Sequence, residues 1–259
     1  MTLTLDDLAV DVRRPDMDWN SDGYVILKSV LPDHLIEAYA TRWIEDNRIY
    51  QDRPGGYPYC TPYMDVAELA NLASLAGVHE YMTDLVTEPV GMHLNLSGWV
   101  TTERDWHQDT YLNPPHVGDY YVAAWYALSD IHPDSGPFQL VPGSHRWFEV
   151  TQGRMLAALQ PEERTDPAWP KYSERILTPL FEQEIQRRGV PVMTYLPRKG
   201  DVLLWHSRLI HRGSKANVPG MERRALIVHY SGINHRQDMP QAEPYGDGYI
   251  FPLHGNQPV

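Results

Sequence analysis

The sequence predicts a mainly β fold, a sandwich or barrel, with helices flanking its sheets. Short apolar runs of strand length recur along the chain, and turns rich in Gly and Pro separate them. The chain contains 22 Pro and 18 Gly among 259 residues, which favours many turns over long helices. Residues 120–129 are almost wholly apolar, as expected of a strand that is buried on both faces.

The N-terminal third predicts one strand and two helices. Residues 24–27 form an apolar strand after a polar turn. Pro32 and Asp33 are helix-start signals, and apolar residues recur at helical spacing over 34–47. Residues 66–86 show the same spacing on one face, so we expect two helices that cover a sheet.

The strand expected at 92–100 alternates between polar and apolar side chains. Side chains two apart on a strand share a face. One face would therefore carry His93, Asn95, Ser97 and Trp99. Such a face could line a cavity, or it could simply meet solvent.

The C-terminal half continues with short strands. They are predicted at residues 138–141, 190–195, 202–206 and 225–230. Residues 148–188 interrupt this series, and a helix is expected over 173–188, ended by Gly189. We interpret 148–188 as a helical insertion on the barrel rim and a candidate lid.

Residues 50–64 form a loop in which Tyr57, Tyr59 and Tyr63 are interspersed with prolines. Two interpretations are open. The loop could be rigid and pack its rings on the core. It could instead be a second lid over a site, with its rings forming a box for an organic cation.

Composition excludes several kinds of partner. A net charge of −12 argues against binding to nucleic acid or to an anionic membrane. Cys60 is the single cysteine, which excludes an internal disulfide framework and a cysteine metal cluster. Neither a signal peptide nor a membrane span is expected. We therefore expect one domain over 1–259 in the cytoplasm, acting on a small molecule; the sequence leaves the oligomeric state open.

The candidate site centres on Trp106-His107-Gln108-Asp109. In an extended strand, the His107 and Asp109 side chains would point to one face and could hold one metal ion. His211 is the candidate third ligand. Two histidines and one carboxylate on one side of an ion form the facial triad of non-heme Fe(II) oxygenases. A lone His-x-Asp could also arise by chance at a solvated strand end.

Five segments carry a resemblance that spans most of the chain. They are DGYVILKSVL (22–31), WHQD (106–109), AWYALSDIHPDSGPFQLVPGSHRW (124–147), GDVLLWHSRLIHRGS (200–214) and RRALIVHYS (223–231). Together they resemble the phytanoyl-CoA dioxygenase (PhyH-like) family of Fe(II)/2-oxoglutarate-dependent oxygenases. The resemblance implies a double-stranded β-helix (jelly-roll, cupin-like) barrel core, outer helices and an iron site in the barrel mouth.

The resemblance also implies roles for individual residues. His107, Asp109 and His211 would bind Fe(II), and Arg223 would pair with the far carboxylate of the cosubstrate 2-oxoglutarate, with O2 as the oxidant. An arginine suits this role because its planar fork matches a carboxylate with two hydrogen bonds. Further residues fall at family-like positions near the cosubstrate: Gln108, Asn95, Trp125 and Ser214. Because halogenating relatives replace the carboxylate ligand by a small residue, Asp109 favours hydroxylation.

The predicted function is hydroxylation of a small polar metabolite or natural-product intermediate, with release of succinate and CO2. The tyrosine loop suggests a substrate that bears an amine or quaternary ammonium group. Candidate substrate contacts are Tyr57, Tyr59, Tyr63, His93, Trp99, Tyr111 and His229. Two alternatives stay open: another cupin-type metal enzyme, which would not use 2-oxoglutarate or need Arg223, and a non-catalytic metal-binding relative.

Overall fold

The computed structural model describes residues 18–47, 56–57 and 59–253. Part of the predicted tyrosine loop, residues 50–55 and Pro58, lies outside this description. In the described part, the α-helices are α1 (Trp19–Asp22), α2 (Asp33–Asn47), α3 (Ala67–Ala73), α4 (Ala76–Val86), α5 (Gln152–Ala158) and α6 (Trp169–Arg188). The strands are β1 (Tyr24–Leu27), β2 (Val90–Gly98), β3 (Arg104–His107), β4 (Tyr121–Ala127), β5 (Phe138–Leu140), β6 (Met193–Thr194), β7 (Val202–His206), β8 (His211–Gly213), β9 (Ala225–Gly232), β10 (Glu243–Tyr245) and β11 (Gly248–Ile250).

Two sheets organise these strands. The larger sheet has the order β1-β7-β4-β9-β2-β11-β10, and the smaller has the order β3-β8-β5-β6. Neighbours are antiparallel, except that β11 runs parallel to β2. The sheets face each other, because the Trp205 ring of β7 lies 4.9 Å from the Phe138 ring of β5. The predicted mainly β fold with outer helices is confirmed.

Strand β4 shows why its sequence is apolar throughout. It lies between β7 and β9, and all its residues are buried. Val122 and Tyr126 pack into the cluster beneath the helices α2, α3 and α4, whereas Ala123 and Trp125 pack between the two sheets. Both faces of the strand therefore meet apolar layers, which removes the polar alternation of a half-exposed strand.

The insertion is fastened to the outside of the smaller sheet. Met155 of α5 and Phe181 of α6 share a buried cluster with Trp106 of β3 and Ile210, which precedes β8. Helix α6 begins earlier than predicted, and α5 was not predicted. The insertion thus covers the two strands on which the metal-ligand candidates lie.

Three predicted elements differ in the structure. The helix expected over 66–86 is two helices, and at the break after Ala73 the Ala73 carbonyl accepts a hydrogen bond from Tyr230 Oη at 2.7 Å. The segment after β3 turns into a 3-10 helix instead of continuing as a strand. The tail beyond residue 234, which shows no periodicity, contains the β10–β11 hairpin with Gly246 at φ +56°. No helix within the described ranges is both long and apolar enough to cross a bilayer.

Candidate metal centre and active site

The three metal-ligand candidates meet where β3 pairs with β8. His107 lies opposite His211 in the register, and their ring centroids are 4.1 Å apart. Asp109 Oδ1 lies 3.8 Å from His107 Nε2 and 3.7 Å from His211 Nε2. One ligand atom from each of the three residues lies within 4.8 Å of the ligand atoms of the other two, and all three residues are buried. This spacing suits a single small cation.

Asp109 reaches the site by a different route from the one predicted. Strand β3 ends at His107, and Asp109 has φ −81° and ψ −19°, at the start of a 3-10 helix. Its backbone N–H donates to the carbonyl of Ser207 at 2.8 Å. The prediction of an extended strand through Asp109 is therefore wrong. The turn, held by the segment before β8, brings the carboxylate to the histidines.

The backbone fixes the tautomers of both histidines. His107 Nδ1 donates to the Asp105 carbonyl at 2.7 Å, and His211 Nδ1 donates to the Leu209 carbonyl at 2.9 Å. A carbonyl can only accept, so each Nδ1 carries the proton and each Nε2 keeps its lone pair for a metal. Burial lowers the pKa of His211 and lowers that of His107 well below its ordinary value, with Arg104 adding to the latter effect. Both rings are therefore neutral and ready to bind a metal.

The donor set fits Fe(II). Trp205 Nε1 donates to Asp109 Oδ2 at 3.0 Å, which leaves Oδ1 facing the two histidines. In the described ranges, no Lys or Arg side chain pairs with this buried carboxylate within 4.0 Å. Two imidazoles and one carboxylate on one side of an ion leave its other positions open, as in non-heme Fe(II) oxygenases.

Arg223 is a buried cation that lacks an anionic partner. It is 3% exposed, and its Nη1 donates to the Gly136 carbonyl at 2.6 Å. Its Nε has no hydrogen-bond partner in the described structure, and no carboxylate pairs with it there. Burial lowers the pKa of Arg223 to about 10, so it stays charged near neutral pH. A side-chain carbon at Gly98 would stand 3.3 Å from Nη2, so the glycine keeps space beside the guanidinium.

Two more buried donors without acceptors lie beside Arg223. The Trp125 ring centroid is 5.9 Å from the Arg223 guanidinium carbon, and the Tyr195 ring meets Trp125 edge-on at 5.7 Å. Trp125 Nε1 and Tyr195 Oη both lack a partner among the described residues. This buried region holds three donors without acceptors in the described structure, which is the kind of surroundings that fits a carboxylate end of 2-oxoglutarate. Tyr195 was not predicted; a buried tyrosine hydroxyl that needs a partner is the signal for it.

Gln108 and Ser214 use their side chains to hold the protein backbone. Gln108 Nε2 donates to the carbonyls of Arg208 at 2.7 Å and Phe148 at 3.2 Å, and its Oε1 accepts from Val150 N at 3.3 Å. Ser214 Oγ donates to the Pro137 carbonyl at 2.7 Å. Gln108 therefore joins the metal-ligand segment to the insertion. These contacts do not support the predicted cosubstrate roles of the two side chains.

Asn95 lies on the helix-side face of β2, which does not suit its predicted position near the cosubstrate. A β-bulge between Met92 and Leu94 shifts the register, so Asn95 pairs with Val228, which packs beneath the helices. Its Nδ2 contacts Met92 Sδ at 3.1 Å. His93 lies in the bulge and turns the other way, so the predicted shared face of His93 and Asn95 is wrong.

Most of the predicted aromatic substrate contacts belong to the core. Tyr57 donates to Asp46 Oδ2 at 2.9 Å, and Tyr63 donates to the Phe251 carbonyl at 2.7 Å. The residues buried in the cluster beneath the helices include Tyr57, Tyr59, Tyr63 and Trp99. Tyr111 is buried beneath the insertion. The rigid-loop interpretation of the tyrosines is supported, whereas the cation box and the lid at this loop are not.

The inner faces of β2 and β9 are less buried than their helix-side faces. Leu96 and Ile227 pair across these strands and are partly exposed, although their neighbours on the helix side are fully buried. His229 follows on the same face of β9, and its ring lies 6.1 Å from the Trp205 ring, which contacts Asp109. The predicted substrate contact His229 is therefore close to the candidate metal centre.

Known proteins resemble this chain in sequence. The family model of phytanoyl-CoA dioxygenase (PhyH) matches residues 66–225. A probable phytanoyl-CoA dioxygenase of Caenorhabditis elegans is 23% identical over 243 residues, covering 82% of this chain and 73% of that protein. An ectoine dioxygenase of Sphingopyxis alaskensis is 28% identical over 189 residues, covering 68% of this chain and 56% of that protein. The chain thus spans just over half of one relative and about three quarters of the other.

Solved structures show the same fold. The crystal structure of EctD from S. alaskensis with bound Fe has a TM-score of 0.61 at 17% identity, covering 89% of this chain and 80% of that chain. This match confirms the predicted cupin-like fold. The matched family segment includes His107, Asp109, His211 and Arg223, and it spans more than half of the chain. The chain belongs to the phytanoyl-CoA dioxygenase family of Fe(II)/2-oxoglutarate-dependent oxygenases.

Proposed function

We propose that this chain uses Fe(II), 2-oxoglutarate and O2 to hydroxylate a small polar metabolite or natural-product intermediate, releasing succinate and CO2. One observation carries the proposal: a buried triad of metal-ligand type and a buried arginine without an anionic partner occur in one family-matched segment. We also propose that the protein is a one-domain cytoplasmic enzyme, as the sequence predicts.

Each residue of the site has a distinct task in the proposal. His107, Asp109 and His211 hold the metal from one side and leave its other positions for ligands. Bound iron would supply the activation of O2 that oxidises a substrate C–H bond. Arg223 and Tyr195 orient the cosubstrate by hydrogen bonds to its far carboxylate.

The protein also shields the site from water. Trp205 and Phe138 form apolar walls between the sheets, with ring centroids 5.2 Å from the His211 ring in each case. The insertion covers β3 and β8 from outside and is tied to the metal-ligand segment by Gln108. Exclusion of water protects a reactive site from side reactions.

The test is an anaerobic titration of the apoprotein with Fe(II) and then with 2-oxoglutarate, followed by visible absorption. A weak charge-transfer band that needs both additions is the expected result. It should be absent in His211→Ala and weakened in Arg223→Met, whereas Arg224→Met is the matched control. Arg224 pairs with Glu222 and stacks over Trp99, so its loss should leave the band unchanged.

Two other results would contradict the proposal. Tight iron binding without a band would favour a cupin-type metal enzyme that does not use 2-oxoglutarate. Failure to retain iron would favour a non-catalytic relative.

A further inference from the structure

Two histidines near the triad are not metal-ligand candidates. The rings of His93 and His229 are 6.5 Å apart, and His93 is 7% exposed. The Trp205 ring lies 5.2 Å from the His211 ring and 6.1 Å from the His229 ring, so these side chains share one wall. His229 is therefore separated from the candidate ligand His211 by the Trp205 ring, and His93 lies beside His229.

The neighbours of His93 determine where its proton lies. Arg236 Nη1 donates to Ser231 Oγ at 3.3 Å, and a guanidinium offers no acceptor. The serine hydroxyl is then free to donate its own proton to His93 Nε2, which lies 3.0 Å away. Burial and the charge of Arg236 lower the pKa of His93 well below its ordinary value, so the ring is neutral. A neutral ring that accepts at Nε2 carries its proton on Nδ1, and this N–H is a donor.

Tyr121 sets the tautomer of His229 in a similar way. The Tyr121 hydroxyl hydrogen-bonds to His229 Nδ1. Burial raises the pKa of Tyr121 well above its ordinary value, so the phenol keeps its proton. Burial also lowers the pKa of His229 to about 4, so this ring is neutral too. A phenol that donates to Nδ1 leaves the ring proton on Nε2, and His229 therefore offers a second N–H donor.

The surrounding charges favour the same kind of ligand. Arg236 is 7% exposed, and its Nη1 contacts Ser231, which in turn contacts His93. Its other terminal nitrogen, Nη2, donates to Asp238 Oδ2 at 2.9 Å. Among the charges near His229, the Asp109 carboxylate has the largest effect and raises its pKa, whereas Arg104 lowers it. Two N–H donors, with the Arg236 guanidinium next to Ser231 and His93, favour an oxygen that accepts hydrogen bonds over an ammonium group, which can only donate.

We propose that His93 and His229 donate N–H hydrogen bonds to a carboxylate or carbonyl oxygen of the substrate, and that they reject amine and quaternary ammonium groups. This inference rests on the proposed oxygenase function and names its substrate class. Two N–H···O bonds of about 2.9 Å each can reach one such group from rings at this separation. It replaces the ammonium-bearing substrate suggested by the tyrosine loop, whose rings lie in the core.

The experiment uses three probes of one shape: 3-methylbutanoate, 3-methylbutanamide and 3-methylbutylammonium. Each is titrated into the protein with saturating Fe(II) and 2-oxoglutarate in the absence of oxygen, and the shift of the absorption band gives its Kd. The carboxylate or the amide should bind at least about tenfold more tightly than the ammonium, which corresponds to about 1.4 kcal/mol. The difference between the first two probes tells a carboxylate site from a carbonyl site.

Variants then assign the preference to the two rings. His93→Phe and His229→Phe keep a ring but remove the N–H donor, so the preference should fall below about threefold in each while the Fe(II)/2-oxoglutarate band remains. His229→Gln supplies an amide N–H and should recover most of the preference. His34→Phe, at an exposed position of α2, is the control and should behave as wild type.

Several outcomes would overturn the inference. These are tighter binding of the ammonium probe, an unchanged preference in both phenylalanine variants, and no response to any probe up to about 10 mM. A carboxylate that displaces 2-oxoglutarate from the metal would abolish the band equally in all variants, and that result also counts against the inference. Absence of the band in the wild type before any probe is added would instead refute the proposed function itself.

Discussion

Trp205 Nε1 donates a hydrogen bond to Asp109 Oδ2 at 3.0 Å, and this contact orients the carboxylate of the candidate metal centre. The other oxygen, Oδ1, faces His107 and His211. Trp205 is 1% exposed and its ring packs against Phe138, so the donor is held by the core between the sheets. The position of a metal ligand is thus set by the packing of a large buried side chain.

Trp205→Phe should weaken Fe(II) binding about 10- to 100-fold, because loss of an outer hydrogen bond frees the ligand to rotate. The measurement is a Kd for Fe(II) from competition with a chromogenic chelator under anaerobic conditions. Trp125→Phe is the matched control, since Trp125 is fully buried in the same cluster but its Nε1 makes no hydrogen bond to Asp109. An equal loss of Fe(II) affinity in both variants would show that packing alone, and not the hydrogen bond, sets the affinity.

Gln108→Leu should destabilise the fold by about 2–4 kcal/mol, because three hydrogen bonds to the backbone of Phe148, Val150 and Arg208 are lost and buried groups stay unpaired. Urea unfolding measures this change. Gln139→Leu is the control, because Gln139 lies on the outer side of β5, is partly exposed and bonds side chains only. Loss of 2-oxoglutarate affinity in Gln108→Leu without loss of stability would restore the cosubstrate role.

The sequence predicted the chemistry of the site better than its geometry. Residue types and motif spacing pointed to His107, Asp109 and His211, and the family resemblance pointed to Arg223, because metal and carboxylate binding each need particular functional groups. The face of Asn95 could not be predicted in this way. One extra residue in a strand reverses every later side chain, and a β-bulge has no reliable local signal here.

The prediction that the loop tyrosines contact substrate is not supported for a different reason. An aromatic ring with a hydroxyl suits a pocket wall and a core equally well, provided that the hydroxyl finds a partner. The Tyr57 hydroxyl bonds Asp46, 11 residues away, and the Tyr63 hydroxyl bonds the Phe251 carbonyl, 188 residues away. Packing brings each partner near. Only tertiary structure supplies such partners, so the sequence left both interpretations open.

The apoprotein should lose stability as the pH falls from about 6.5 to about 4, partly because of His79. This ring is 3% exposed and bonds the Ala73 carbonyl, and burial lowers its pKa to about 4. Below pH 6.5 the unfolded chain binds a proton that the native ring excludes, so the contribution is complete above that pH and is lost on acidification. Between about pH 7 and about pH 5 the expected loss is about 2 kcal/mol.

His79→Gln isolates this contribution. The amide can still donate to the Ala73 carbonyl but does not titrate, so the variant should lose less stability than the wild type over the same pH interval. Urea unfolding at the two pH values measures the difference. Identical losses in both proteins would mean that other buried histidines, such as His206 with its pKa lowered to about 3, account for the acid sensitivity.

Arg223→Met should separate the stability of the fold from the binding of 2-oxoglutarate. Arg223 is buried without an anionic partner in the described structure, so its replacement by an apolar side chain of similar length should leave the free energy of unfolding equal or higher. The same change removes the charged fork that matches a carboxylate, and affinity for 2-oxoglutarate should fall about 100-fold.

Thermal unfolding of the Fe(II) protein with and without 2-oxoglutarate distinguishes these effects. A ligand at 100 times its Kd stabilises the native state by about 2.7 kcal/mol, so the wild type and Arg224→Met should both gain in Tm. Arg223→Met should start from a Tm at least equal to that of the wild type and gain almost nothing. A low starting Tm would instead mean that Gly136, whose carbonyl Arg223 Nη1 binds, needs the guanidinium for the fold. An undiminished gain would exclude Arg223 as the partner of the cosubstrate carboxylate.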